Sequence, residues 1–240
     1  MDWNCGHEPG TAKEAGILGS AGARSPERHE ASGRSTPVCA NAGTDLVRAA
    51  SAESGGGFFM EAGAPPLLRG RRCLLRPQRS GDADRLARIA TDAEVTRFLF
   101  DEFDVAEWCA AAGRAHGFDF WVVEPRHAGS GAEADAIGFF ILQPGRGGYR
   151  CSAEVSYWIG REWWGRGVMS EALATVTAWA WQRWPPLTRL QADVFPGNGA
   201  SRRVAAKCGY VLEGVRPRSA IKDGCAIDIL QYAAYRPDGA

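Results

Sequence analysis

Hydrophobic positions change their spacing several times along this chain, and each change predicts an element. Over residues 154–159, Val155, Tyr157 and Ile159 alternate with Glu154, Ser156 and Trp158, the period of a strand. From Met169 the apolar residues fall instead at Ala172, Leu173, Val176 and Ala180. That is a helical period, and it runs to Trp184 and stops at Pro185-Pro186. Between the two patterns lies Trp164-Gly165-Arg166-Gly167, where the glycines predict a tight turn or a close backbone approach. A glycine turn opening a helix leaves several N–H groups without helical partners, and with the helix dipole they suit a phosphate. A plain packing turn explains the same glycines. No Gly-Lys-Ser/Thr follows them, which excludes a Walker loop, and no third glycine stands at the Rossmann spacing.

The remaining pattern predicts a series of shorter elements. Arg72–Pro77 reads as a strand, and Ser80-Gly81-Asp82-Ala83-Asp84 as a helix start with Leu86, Ile89 and Ala90 on one face. A second helix is expected over Ala93–Leu99 after a cap at Thr91 or Asp92. Asp104 with Glu107 resembles a capping box opening a third through Ala112. Strands follow at Asp119–Val123, Ile137–Leu142 and Tyr149–Ile159, then the long helix, then a strand at Arg189–Val194. Pro196-Gly197-Asn198 turns into a helix over Ala200–Lys207 ended by Gly209, and Tyr210–Arg216 and Ala226–Ala233 are joined through a Lys222-Asp223-Gly224 turn. This order predicts an α/β domain with a mixed sheet of six or seven strands flanked by helices.

Residues 1–66 contrast with this regularity. Gly, Ala, Ser and Pro fill 34 of these 66 positions, too few apolar side chains to offset the entropy of ordering, so a disordered tail is expected there and a folded domain over 67–240. Met60 is a possible alternative start. The formal net charge of +0 gives no reason to expect nucleic acid or an anionic membrane as partner. Apolar runs fall short of a membrane span, and the N-terminus lacks the pattern of a secretory leader. The 7 cysteines are scattered with no Cys-x-x-Cys and the 4 histidines lack ligand spacing, which predicts reduced thiols, a cytoplasmic protein and no metal.

Three separated segments carry a resemblance. Cys73–Pro77 with Asp82–Asp84 and Asp92–Leu99 is the first. Glu154–Ile159 with Trp164–Ala172 is the second, and Asn198 with Ala200–Tyr210 and Glu213-Gly214 is the third. Their order and spacing resemble the GNAT superfamily of acetyl-CoA-dependent N-acetyltransferases, and more narrowly its RimJ/RimL branch, which acetylates protein N-termini and related amines. The resemblance implies a transferase whose central strands splay, here Glu154–Gly160 and Leu190–Phe195, so that pantetheine fits between them. It implies a diphosphate site on the N–H groups of Trp164, Gly165, Arg166, Gly167, Val168 and Met169. A backbone N–H near Ser156 or Tyr157 would hold the thioester oxygen, and Trp158, Asn198 and Ser201 would complete the coenzyme contacts.

The attacking amine must be neutral. The resemblance makes Glu154 the general base, acting through water. The family's usual tyrosine acid, seven residues after the asparagine matching Asn198, is Ala205 here. Ser201, one turn earlier, takes its place as the donor to the leaving sulfur. Tyr232, Tyr235, Phe100, Phe103 and Trp108 are candidates to line the acceptor cleft. The expected partners are acetyl-CoA and an amine, a protein N-terminus first, with the chain a monomer or homodimer. A small-molecule amine acceptor, such as an antibiotic, polyamine or amino acid, is the alternative. A catalytically silent coenzyme-binding module is a third reading.

Overall fold

The computed structural model describes residues 64–100, 104, 105, 107, 109, 117–126 and 135–237. All lie in the unit Asn41–Ala240; the other unit, Met1–Ala40, lies outside the described residues, as do the expected tail up to residue 63 and Met60. The elements run β1 (Leu68–Arg69), β2 (Cys73–Arg76), α1 (Asp82–Ile89), α2 (Ala93–Thr96), β3 (Asp119–Pro125), β4 (Gly138–Pro144), β5 (Ser152–Ile159), α3 (Val168–Arg183), β6 (Arg189–Val194), α4 (Gly199–Lys207), β7 (Val211–Lys222) and β8 (Cys225–Tyr235).

The strands form one 8-stranded sheet in the order β1-β2-β3-β4-β5-β6-β8-β7. Neighbours are antiparallel except β5 and β6, which the α3 crossover joins in parallel. The eighth strand, beyond the six or seven expected, is β1. Two residues are too short to show any alternation, and β1 exists because Leu68 and Arg69 pair with Leu75 and Leu74. β7 continues past its expected end at Arg216 because two bulges, at Leu212/Gly214 and Arg216/Ala220, break its period while it stays paired to β8. β5 starts later than expected, since Gly147–Tyr149 forms a 3-10 turn first.

Each face of the sheet has its own core. Cys73, Trp121, Phe140, Val155, Ile159 and Leu190 pack against Val168, Ala172, Leu173, Val176 and Ala180 of α3. On the opposite face Phe120, Val122, Phe139, Ile141 and Trp158 pack with Leu86 of α1 and Val95 of α2. The alternation of β5 is therefore a division between two cores: odd positions face α3, even positions face α1.

The opening segment is fixed by buried charge. Arg76, only 3% exposed, bonds Asp82 through Nη1 at 2.6 Å and Nη2 at 2.8 Å, and pairs with Glu124 through Nε. Asp82 also accepts from the Arg79 amide at 2.6 Å, so this carboxylate ties down the turn leading into α1, whose N-cap Gly81 is left-handed and offers no side chain. α2 is shorter than expected, one turn capped by Asp92, which accepts from the Glu94 amide at 2.9 Å. Asp104 accepts from the Glu107 amide at 3.1 Å, so the expected box has at least its first bond. Cys73, Cys109, Cys151 and Cys208 are free thiols, whereas Cys225 is disulfide-bonded, which departs from an all-reduced set. Scattered spacing carries no information on such a pairing.

Candidate active site

The site forms where β5 and β6 part. They pair in register at only three positions, Ser152 with Arg189, Ala153 with Leu190 and Glu154 with Gln191. Beyond Glu154 the strands separate, so the splay expected of the central strands is present and begins at the predicted base. Main-chain groups of β5 from Val155 onward have no strand partner on the β6 side.

At the far end of β5 the chain passes Gly160, a 3-10 turn over Arg161–Trp163, and Trp164. Trp164 is 41% exposed, and its Nε1 donates to the Ile159 carbonyl at 2.9 Å, which pins the turn to the strand end. Gly165 (φ 73) and Gly167 (φ 76) are both left-handed, a conformation that opens the backbone here and that side chains adopt at a cost. Gly167 is the N-cap of α3 and no side chain caps that helix. The first protein bond at this terminus is Glu171 N–H to the Gly167 carbonyl at 3.1 Å. Among the described residues the N–H groups from Gly165 to Ser170 find no protein acceptor. A Cβ on Gly165 would meet nothing within 4 Å, so the cradle is open. Unpaired amides at the N-terminus of a 16-residue helix suit a diphosphate. Val168 and Met169 offer only their amides, for their side chains are buried.

Two arginines flank the cradle. Arg166 lies over the Trp163 ring, 5.0 Å from its centroid, which orders the predicted cation beside the turn. Arg72 was not foreseen. Its Nε lies 3.6 Å from where a Gly167 Cβ would stand, and its Nη1 is 3.6 Å from Glu171. Only the register of the fold brings residue 72 to this helix, so no local pattern announces it.

Glu154 is partly buried on the face opposite α3. Its Oε2 accepts from Gln191 Nε2 at 3.3 Å. Burial first, and then the nearby Asp193 carboxylate, push its carboxyl from 4.5 up to about 7 against the opposing effects of Gln191 and Arg216. Asp193 pairs with Arg216, and its own carboxyl is also raised by burial. Gln191 and Asp193 went unassigned from sequence, although Arg189, Gln191 and Asp193 alternate with the buried Leu190, Ala192 and Val194. That alternation was the available signal.

On the α3 face, Tyr157 stacks on Phe140 with centroids 5.5 Å apart, and its hydroxyl is 3.2 Å from Ser201 Oγ. Asn198 is the N-cap of α4, its Oδ1 accepting from Ser201 N–H at 2.9 Å. This gives Asn198 a structural task whatever else it touches. Ser156 is exposed at the gap. Trp158 is buried, edge-on to Phe139 at 5.1 Å, so its ring belongs to the second core and stands apart from the cradle. Of the aromatic cleft candidates, Phe100 packs on Phe195 at 5.1 Å. Tyr232 is buried with its hydroxyl accepting from Arg202 at 3.2 Å, and Tyr235 bonds Glu213. Phe103 and Trp108 lie outside the described residues. No cluster of metal-ligating side chains occurs among the described residues, and no helix among them is long and apolar enough to cross a membrane.

Comparison with known proteins matches this geometry. The acetyltransferase (GNAT) domain pattern covers residues 72–211. The uncharacterized N-acetyltransferase YoaA of Bacillus subtilis (strain 168) is 28% identical over 181 residues, 72% of this chain and 98% of the relative. RimJ of Mycobacterium smegmatis, solved in complex with CoA-disulfide, superposes with a TM-score of 0.57 at 26% identity, over 68% of this chain and 81% of its own. The ribosomal-protein-S5-alanine acetyltransferase of Vibrio fischeri shares the fold with a TM-score of 0.60 at 19% identity, over 72% and 98% of the two chains. With the parted strands, the glycine turn and the domain match in agreement, the chain belongs to the GNAT family of acetyltransferases.

Proposed function

We propose that this protein transfers the acetyl group of acetyl-CoA to the α-amine of a protein N-terminus. The observation that carries the reading is the coincidence of three features at one opening. The central strands part at Glu154, its carboxyl sits near neutrality, and unpaired amides line the glycine turn at the other end of the gap. The coenzyme fits this arrangement: Gly165–Met169 would hold its diphosphate, and the free edge of β5 would pair with its pantetheine arm. Bound there, acetyl-CoA supplies the activated acyl group. The chain's own residues bind, orient and move protons.

Glu154 takes the proton from the attacking amine, directly or through one water. A carboxylate near 7 is a competent base at neutral pH, where about half of it is ionised, and it remains basic enough to take the proton. It suits an α-amine, which titrates near ~7.7–8.0, better than a lysine near ~10.4. The likeness to RimJ points to the same acceptor class. Incubation with acetyl-CoA and a panel of peptides, N-terminally free and blocked, with polyamines and amino acids in parallel, tests this by mass spectrometry and thiol release. Acetylation confined to free peptide N-termini is the expected result. Transfer confined to small amines would overturn the acceptor and keep the chemistry; no thiol release with any amine would overturn both.

A further inference from the structure

We propose that the Tyr157 hydroxyl, positioned by Ser201, donates the hydrogen bond that receives the leaving thiolate. This role belongs to a strand residue because α4 carries Ala205 where its tyrosine would be. The proposal rests on the acetyltransferase reading above.

Three lines of geometry meet at Tyr157. It stands three positions beyond Glu154, the last residue of β5 paired to β6, so it lies on the parted section. By the alternation of the strand its side chain faces α3 and α4, while Glu154 faces the other side of the sheet. A base on one face and a leaving-group donor on the other bracket a carbonyl held in the gap. The ring is fixed by its stacking on Phe140, and the hydroxyl by Ser201, which Asn198 in turn holds at the first turn of α4.

The other tyrosine hydroxyls are bonded elsewhere or lie away from the gap. Of the 5 tyrosines, Tyr210 bonds Thr177 at 2.9 Å, Tyr232 bonds Arg202, and Tyr235 bonds Glu213. Tyr149 is 75% exposed in the turn before β5, and Ala205 is fully buried with no hydroxyl to offer. Tyr157 is the tyrosine on the gap.

Burial pushes the Tyr157 phenol up to about 12, against ~8.5 for a thiol. Complete proton transfer to the sulfur is therefore uphill, and the phenol acts as a donor that keeps its proton. The amine nitrogen forms its bond to the acetyl carbon and gives its proton to Glu154. The carbon–sulfur bond then breaks and the sulfur keeps the electron pair, its charge met by the Tyr157 O–H. Ser201 Oγ–H donates to the Tyr157 oxygen. The thiolate takes its proton from solvent after release, and Glu154 returns its own to solvent.

Tyr157→Phe keeps the stacked ring and removes only the hydroxyl, so folding is preserved and is checked by thermal melting. The expected result is a fall in kcat of about 10- to 100-fold, the range for one hydrogen bond to a developing charge, with the Kd for coenzyme A unchanged. Ser201→Ala loses less, and the Tyr157→Phe/Ser201→Ala double variant is no slower than Tyr157→Phe alone, because the serine works through the tyrosine. Unchanged kcat in Tyr157→Phe overturns the proposal, as does a loss confined to coenzyme affinity. Fully additive losses overturn the paired arrangement. If the native protein transfers acetyl to no amine, the acetyltransferase reading fails and takes the proposal with it.

Discussion

Replacing Glu154 by Gln tests the proposed base most sharply, because the side chain keeps its shape while losing its titration. In the native protein burial and Asp193 hold this carboxyl at about 7, against 4.5 for an unperturbed glutamate. Below that value it is protonated and cannot accept a proton. The contribution of Glu154 to kcat/KM therefore rises about tenfold per pH unit up to about 7 and levels above it. An α-amine titrating near ~7.7–8.0 adds a second, higher inflection. Glu154→Gln removes the lower inflection and leaves the upper. The loss is greatest above pH 7, where Glu154 is ionised: about 10²-fold at pH 8.5, the low end for general-base catalysis, about half that at pH 7, and shrinking about tenfold per pH unit below. Asp193→Asn is the matched control. It removes the charge that raises Glu154 and frees Arg216, which lowers it, so the inflection moves downward. Initial rates of thiol release from pH 5.5 to 9 measure all three proteins. A Glu154→Gln profile superimposable on the native one would refute the assignment.

Other outcomes follow from buried charge. The Asp119 carboxyl is 6% exposed with Oδ2 unpartnered, and burial raises it from 3.8 to about 7, with Arg183 opposing. The fold thus retains a proton that the unfolded chain has released. Stability is full below the unfolded value, falls as pH rises through about 7, and loses up to ~4 kcal/mol by pH 8. Asp119→Asn should raise the Tm by several degrees at pH 8 and hardly at pH 4; an equal shift at both would contradict this. Arg76→Met leaves Asp82 and Glu124 buried without their partner, and denaturant unfolding should report a loss of about 3–5 kcal/mol. A loss under about 1 kcal/mol would mean that the two carboxylates find other partners.

Long periodic stretches were legible from sequence. β5 and α3 carry enough turns or alternations to fix both type and face, and the left-handed φ values of Gly165, Gly167 and Gly209 fall where the turn readings placed them. Elements set by partners were not. β1 has two residues, and β7 is interrupted by bulges that only pairing with β8 explains. The site divides in the same way. Glu154 is legible as a candidate from its strand and the resemblance, but its raised carboxyl depends on burial and on Asp193, 39 positions away and two residues along β6 from Gln191, its partner in register. Arg72 reaches the glycine turn, and Tyr157 meets Ser201, through packing that no spacing encodes.

Calorimetric titration of coenzyme A into the native protein and into Gly165→Asp tests the central claim, that amides of the glycine turn hold the diphosphate. A Cβ at Gly165 meets nothing within 4 Å, so the variant folds at a cost of about 1–2 kcal/mol for its left-handed backbone. A carboxylate about 5 Å from a phosphate charge, at an effective dielectric near 20, adds ~3 kcal/mol of repulsion. The account predicts binding to the native protein and an affinity about two orders of magnitude weaker in the variant. Equal affinity in the two proteins, or none in either, would contradict it.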